Sequence, residues 1–252
     1  MASQTKPPIM EQPAGMGMTW MPKPQLADCP PGLEYLANID QLIVKQSVEL
    51  FEAVTGIDCK NRYTIANSMG QQVYFAYEES AFCMRFCCNQ ARSFTMHIVD
   101  NMSREVIRIS RPFQCCAGCC WCISGQNCCA FRINIESPPG NPVGYVYQGC
   151  SGWKPKYHVH DDNMEEVLTI QGPCVPCQCC CGCTGDIHFR FFSNDGEEIG
   201  AVTKVWNGVV KEMCTNADTF SLTFPKDLDV KQKATILGAM FLIEFMYYEK
   251  SN

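Results

Sequence analysis

The chain has 252 residues, 46% of them apolar, enough for one large all-β domain or two small ones and too many for a disordered or fibrous class. With 26 acidic against 20 basic residues its net charge is −6, so nothing draws it as a whole toward phosphate backbones, and no nucleic-acid partner is expected. Met1 to Pro13 mixes prolines, charges and polar groups where a secretory leader needs a basic start and an apolar run. The expected compartment is therefore the cytosol, where twenty cysteines stay reduced and open to metal binding, redox chemistry or S-acylation.

Residues 1–31, rich in Pro, Met and Gly and lacking periodicity, read as a flexible tail, which leaves 32–252 as the domain. Leu33, Leu36, Ile39, Leu42 and Ile43 recur at helical spacing, and Leu42 to Val54 then mixes β-branched residues, so a short helix followed by a first strand is predicted. Five hairpins follow, each an alternating apolar and polar run on either side of a turn. They span Tyr63 to Ala76, Phe94 to Ser110, Phe131 to Gln148, Tyr157 to Gln171 and Ile187 to Trp206. The second and fourth form an internal repeat: the run from Asp100 to Ile109 matches that from Asp162 to Ile170 with one residue deleted. Each copy ends in a proline, Pro112 or Pro173, followed by a cysteine cluster, so the two clusters occupy equivalent loops.

Phe220 to Phe224 alternates as a last strand that Pro225 stops, and ten to a dozen strands hide their edges most economically by closing into a barrel. Asp229 with Gln232 three positions on then resembles a capping box, opening a helix whose run from Ala234 to Tyr248 is apolar around its whole circumference except at Glu244. Its uninterrupted apolar stretch, Ala234 to Ile243, is about half of the ~20 residues a bilayer crossing needs. A core helix inside the barrel is expected, with a single membrane-spanning segment as the alternative.

Two cysteine clusters carry the most chemistry. The first holds Cys115, Cys116, Cys119, Cys120 and Cys122, and the second runs from Cys174 through Cys177 to Cys183. The spacings Cys116-x-x-Cys119 and Cys174-x-x-Cys177 would jointly suit a tetrahedral zinc ion, and buried inert thiols are the plainer reading. His97, His158, His160 and His188 all fall in predicted strands with no nucleophile motif beside them, so no covalent catalysis is inferred.

Pro30-Pro31-Gly32-Leu33-Glu34-Tyr35-Leu36, Pro138-Pro139-Gly140, Gly172-Pro173-Cys174, Phe224 to Lys231 and Gly238 to Met246 resemble, in this order, the phospholipid scramblase family. The resemblance implies a tubby-like fold, a mainly β, twelve-stranded closed barrel around a central apolar C-terminal helix. It implies calcium-dependent, ATP-independent movement of phospholipids between leaflets of the plasma membrane, by a protein held at the cytoplasmic face. Palmitate on the first cluster would supply the anchor, since one acyl chain alone binds membranes only marginally. The family's twelve-residue calcium segment maps onto 216–227, with Asn216, Asp218 and Asp227 at its first, third and last positions. Here Phe220, Ser221 and Phe224 stand where a calcium loop wants oxygen ligands or glycine, so any affinity is expected to be low. A basic nuclear-import stretch known in relatives is reduced to Lys204, so nuclear entry by that route is not expected, and the N-terminal tail has no Pro-x-x-Pro motif for SH3 or WW domains. The resemblance leaves room for a homo-oligomer, and for an acylated adaptor that binds protein partners at the membrane without moving lipid.

Overall fold

The structure is a computed structural model that describes residues 19–26, 29–47, 61–80, 92–114, 130–150, 154–174, 185–206 and 218–248. The expected twelve-stranded barrel is closed. Its strands are β1 (Gln41–Gln46), β2 (Arg62–Asn67), β3 (Gln72–Glu79), β4 (Phe94–Val99), β5 (Glu105–Arg111), β6 (Arg132–Glu136), β7 (Pro142–Gly149), β8 (Lys156–Asp161), β9 (Glu166–Gln171), β10 (Ile187–Ser193), β11 (Glu198–Lys204) and β12 (Thr219–Thr223). Each pairs antiparallel with its neighbours in sequence, and β12 closes onto β1, leaving no free edge. Alternation sets the two faces: Met96, Ile98, Ile109, Val159, Phe189 and Leu222 point into the core, while His97, Arg108, His158 and Arg190 point outward.

The five predicted hairpins share one turn. Three residues separate Asn67 from Gln71, Asp100 from Arg104, Ser137 from Asn141, Asp161 from Glu165 and Ser193 from Glu197, and in every case the first residue's N–H donates to the last one's carbonyl. The third loop residue has positive φ, 78° at Gly70, 58° at Ser103, 97° at Gly140, 66° at Met164 and 81° at Gly196. Strand pairing slips beside each turn, as expected for a three-residue hairpin built from a type I turn and a bulge. Side chains fix the geometry. Asn67 Oδ1 accepts from the N–H groups of Met69 and Gln71, Asp100 Oδ1 from Met102 and Arg104, and Asp161 Oδ1 from Asn163 and Glu165.

These bonds correct the internal repeat. Asp100 corresponds to Asp161 and Ser103 to Met164 with nothing deleted, so matching Asn101-Met102 to Asn163-Met164 is one residue out of register. Two boundaries also move. The helix predicted near Leu33 is a single 3₁₀ turn, Glu34–Leu36, and β1 ends at Gln46, with 48–60 outside the described residues. Within the tail predicted over 1–31, the segment at Thr19 to Met21 pairs with the barrel: the N–H of Gln72 donates to Thr19 O at 2.9 Å and its carbonyl accepts from Met21 N–H at 2.8 Å. The cause is that β3 outruns β4, whose last residue Val99 pairs with Phe75, and the open backbone of Gln72 takes this segment as its partner.

Inside the barrel runs α1 (Val230–Tyr247). Asp229 caps it, its Oδ2 accepting from the N–H groups of Lys231 at 2.9 Å and Gln232 at 3.3 Å. Every residue from Lys233 to Met246 is buried, so the all-round apolar sequence reflects a helix surrounded by strands. Gly238 allows close approach to the wall, since a Cβ there would come within 2.6 Å of Ile135 Cγ1. Among the described residues no helix is long and apolar enough to cross a membrane.

Candidate functional site at the cysteine-bearing end

The up-and-down order gives the barrel two unlike ends. All five short hairpin turns, the link from β12 to α1 and the start of the helix lie at one end, the turn end. The six longer connections, 47–61, 80–93, 112–131, 150–155, 172–186 and 205–218, leave and rejoin at the other, where α1 finishes. Sequence places nineteen of the twenty cysteines in those six connections: Cys59, then Cys83, Cys87 and Cys88, then seven from Cys115 to Cys129, then Cys150, then six from Cys174 to Cys183, then Cys214. The first cluster, Cys115, Cys116, Cys119, Cys120 and Cys122, lies outside the described residues, as do Cys177 and Asn216. Cys150 and Cys174 are exposed. Cys29 alone precedes the barrel on the turn side. Burial, followed by the charges of Glu34 and Asp229, pushes its thiol pKa up and makes it a poor nucleophile.

Buried charge concentrates at the cysteine-bearing end. Arg92 pairs with Glu78 at 3.0 Å, their side chains 3% and 0% exposed. The Arg92 guanidinium lies 5.0 Å from the ring centre of Phe245, which stacks on Phe94 at 4.2 Å. Arg111 donates to Arg92 O at 2.8 Å and covers the rings of Phe94 and Phe131. Lys204 pairs with Asp218 at 3.0 Å and sits 4.2 Å over Tyr248. Three cations thus gather round the C-terminal end of α1, where the helix dipole is negative. Tyr157 completes the lid, donating to Tyr247 Oη at 3.3 Å, and burial pushes its pKa well up.

The sequence reading missed these groups, although a signal exists. In β3, β5 and β11 the inward register of Ala76, Ile109 and Val202 continues one step further to Glu78, Arg111 and Lys204, a charge where the alternation calls for an apolar residue.

Of the calcium segment, the described residues Asp218 and Asp227 are not brought together. Asp218 and Asp227 flank β12, whose five residues extend by about 3.3 Å each, so the two carboxylates stand at opposite ends of the barrel. Asp218 is engaged with Lys204, and Phe220 and Leu222 between them face the core. These residues do not fit one shared ion. Among the described residues no group of three or more His, Cys, Asp or Glu side chains is placed to hold a metal. The histidines serve the outer wall: His97 bridges Glu79 at 2.9 Å and Glu105 at 2.8 Å, and His158 meets Glu166 at 2.8 Å, at the same offsets from the two equivalent turns.

The profile of the family described as Scramblase matches residues 19–250. The chain belongs to the scramblase family. Human phospholipid scramblase 1 is 46% identical over 238 residues, covering 94% of this chain and 72% of the human protein. Bovine phospholipid scramblase 2 is also 46% identical, over 97% of this chain and 83% of its own length, and human phospholipid scramblase 4 is 38% identical over 93% and 69%. The matched span starts at Thr19, the first described residue, and takes in all twelve strands and α1.

Proposed function

We propose that the protein moves phospholipids between the leaflets of a membrane, acting as a lipid translocator without covalent catalysis. Identity of 46–47% over 94–97% of this chain to proteins named phospholipid scramblases carries this reading. The outer wall adds a constraint. Charged and hydrogen-bonding side chains such as His97, Arg108, His158 and Arg190 face outward and the apolar residues face in, the reverse of a membrane-spanning barrel. The barrel works beside the bilayer, at the cytoplasmic face of the plasma membrane, held by palmitate on the first cysteine cluster. The convergence of the cysteine-bearing connections on one end supports such an anchor, because several acyl chains there would reach the same surface.

Liposomes reconstituted with the acylated protein and a fluorescent lipid reporter test the reading. Transport predicts loss of leaflet asymmetry without ATP and faster loss with calcium. Because Asp218 and Asp227 do not share a site, calcium dependence is to be measured and not routed through 216–227. Hydroxylamine, which cleaves thioesters, should release the protein from cell membranes, and a chain lacking the first cluster should be soluble before treatment. Zinc on Cys116, Cys119, Cys174 and Cys177 would appear as one metal per chain in the purified protein.

One observation favours an acylated adaptor instead: α1 fills the barrel and leaves lipid no polar path through it. Reporter decay no faster than in protein-free vesicles would establish that reading.

A further inference from the structure

Lys233 is the most unusual residue of α1. Its side chain is fully buried one turn into the helix, and among the described residues it is paired with no carboxylate. Its ammonium donates to Lys226 O at 2.7 Å, Ile39 O at 2.9 Å and Leu36 O at 3.0 Å, with Ala37 O at 3.5 Å. The Phe224 ring lies 5.2 Å away. An ammonium has three N–H donors, and the three short bonds use them all. The accepting carbonyls come from two separate stretches, the 3₁₀ turn leading into β1 and the link from β12 to α1. Lys233 therefore gathers the chain round the turn-end mouth as a bound monovalent cation would. Burial pushes its pKa down, while the more distant Asp227, Asp40 and Asp229 act the other way.

We infer that Lys233 is a latch that keeps α1 inside the barrel while the protein works at a membrane, so that lipid passes along the outside of the domain and not through a space the helix vacates. The inference rests on the lipid-transport reading. Departure of α1 would strip three charge-assisted hydrogen bonds and carry both Lys233 and the buried Glu244 toward hydrocarbon. It would also part Phe245 from Phe94 and Arg92 and leave the apolar inner faces of β6 and β7 without their packing partner. Lys233 is a positioning residue, since it touches no substrate.

The decisive variant is Lys233→Met, which keeps the length of the side chain and removes its donors. Acylated wild type and variant are compared in vesicles of phosphatidylcholine and phosphatidylserine, with transport expressed per folded molecule. A latch on a helix that stays put predicts lower thermal stability and a transport rate no higher than wild type. If transport instead required the helix to leave, removing the latch would raise the rate several-fold, and that result overturns the inference. A second measurement does not depend on the variant folding: hydrogen exchange of the β6 and β7 amides in wild-type protein, in solution and bound to the same vesicles. Protection should agree within about twofold, and a fall of about tenfold or more on vesicles would show the wall stripped of its helix and overturn the inference. Failure of the transport reading is seen separately, as vesicles in which no lipid moves, and the exchange experiment still decides where α1 lies.

Discussion

The turn end and the cysteine-bearing end are built from different kinds of information. At the turn end, five hairpins repeat one local device, a polar residue whose side chain or backbone closes a three-residue loop and a third loop residue with positive φ. At the other end, long connections carry nearly all the cysteines, and buried charges from β3, β5, β11 and the residue Arg92 before β4 meet around the last turns of α1. Local rules therefore suffice to build the five turns of one end, while the other end, like the Lys233 latch beside those turns, depends on groups brought together from across the chain.

The largest expected effect is at the non-local end. Glu78→Ala takes from the buried Arg92 its carboxylate, and such a loss costs about 3–5 kcal/mol. Chemical denaturation would measure it, and a loss under about 1 kcal/mol would mean that charge at this end carries little structural weight. The turn end should respond in the opposite sense to the right substitution. Met164 occupies a left-handed position that Gly70, Gly140 and Gly196 fill elsewhere, so Met164→Gly should raise stability by about 1 kcal/mol and Gly70→Met should lower it by about as much. Equal effects of both signs would confirm that the turns are interchangeable units.

The smallest effect concerns the outer wall and is pH-dependent. Burial alone would raise the pKa of Glu105, but hydrogen bonds from Arg108 and His97 outweigh it and hold the carboxyl below its ordinary value of 4.5. A carboxylate with a lowered folded-state pKa stabilises fully above its ordinary pKa, and that contribution disappears as pH falls through the lowered value. Glu105→Gln should thus narrow the stability gap from wild type below about pH 4, by less than about 1 kcal/mol because the group is partly exposed. Glu166→Gln should behave alike, since His158 holds Glu166 in the same way in the other copy of the repeat. Melting curves over an acid pH series would test both.

The pattern of legibility follows the same division. Alternation and turn chemistry revealed all five hairpins, the last strand and the Asp229 cap, because each is decided within a few residues. The repeat was found but set one residue out, since identical letters at Asn-Met outweighed the aspartate that organises the turn. Apolar spacing from Leu33 to Ile43 suggested a helix, whereas Leu33, Leu36, Ile39 and Leu42 are buried by tertiary packing over a short turn and β1. In the sequence, nothing marks Lys233 apart from its place one turn into the helix. Its role depends on carbonyls of Leu36 and Ile39, almost two hundred residues earlier, which no local pattern encodes. Asp218 and Asp227 fit a calcium spacing by count, but the strand between them holds them apart.

Closure of the wall by β12 onto β1 also bears on how the molecule is made. The pairing joins residues as far apart as Gln41 and Thr223, the Gln41 side chain also donates to Ser221 Oγ at 2.9 Å, and the helix that fills the interior comes later still. During synthesis eleven strands must wait, their inner faces unfilled, until the last part of the domain leaves the ribosome. The nascent chain is therefore a client for chaperones until that moment, and truncations that spare every strand but remove α1 should yield aggregates in place of a smaller soluble domain.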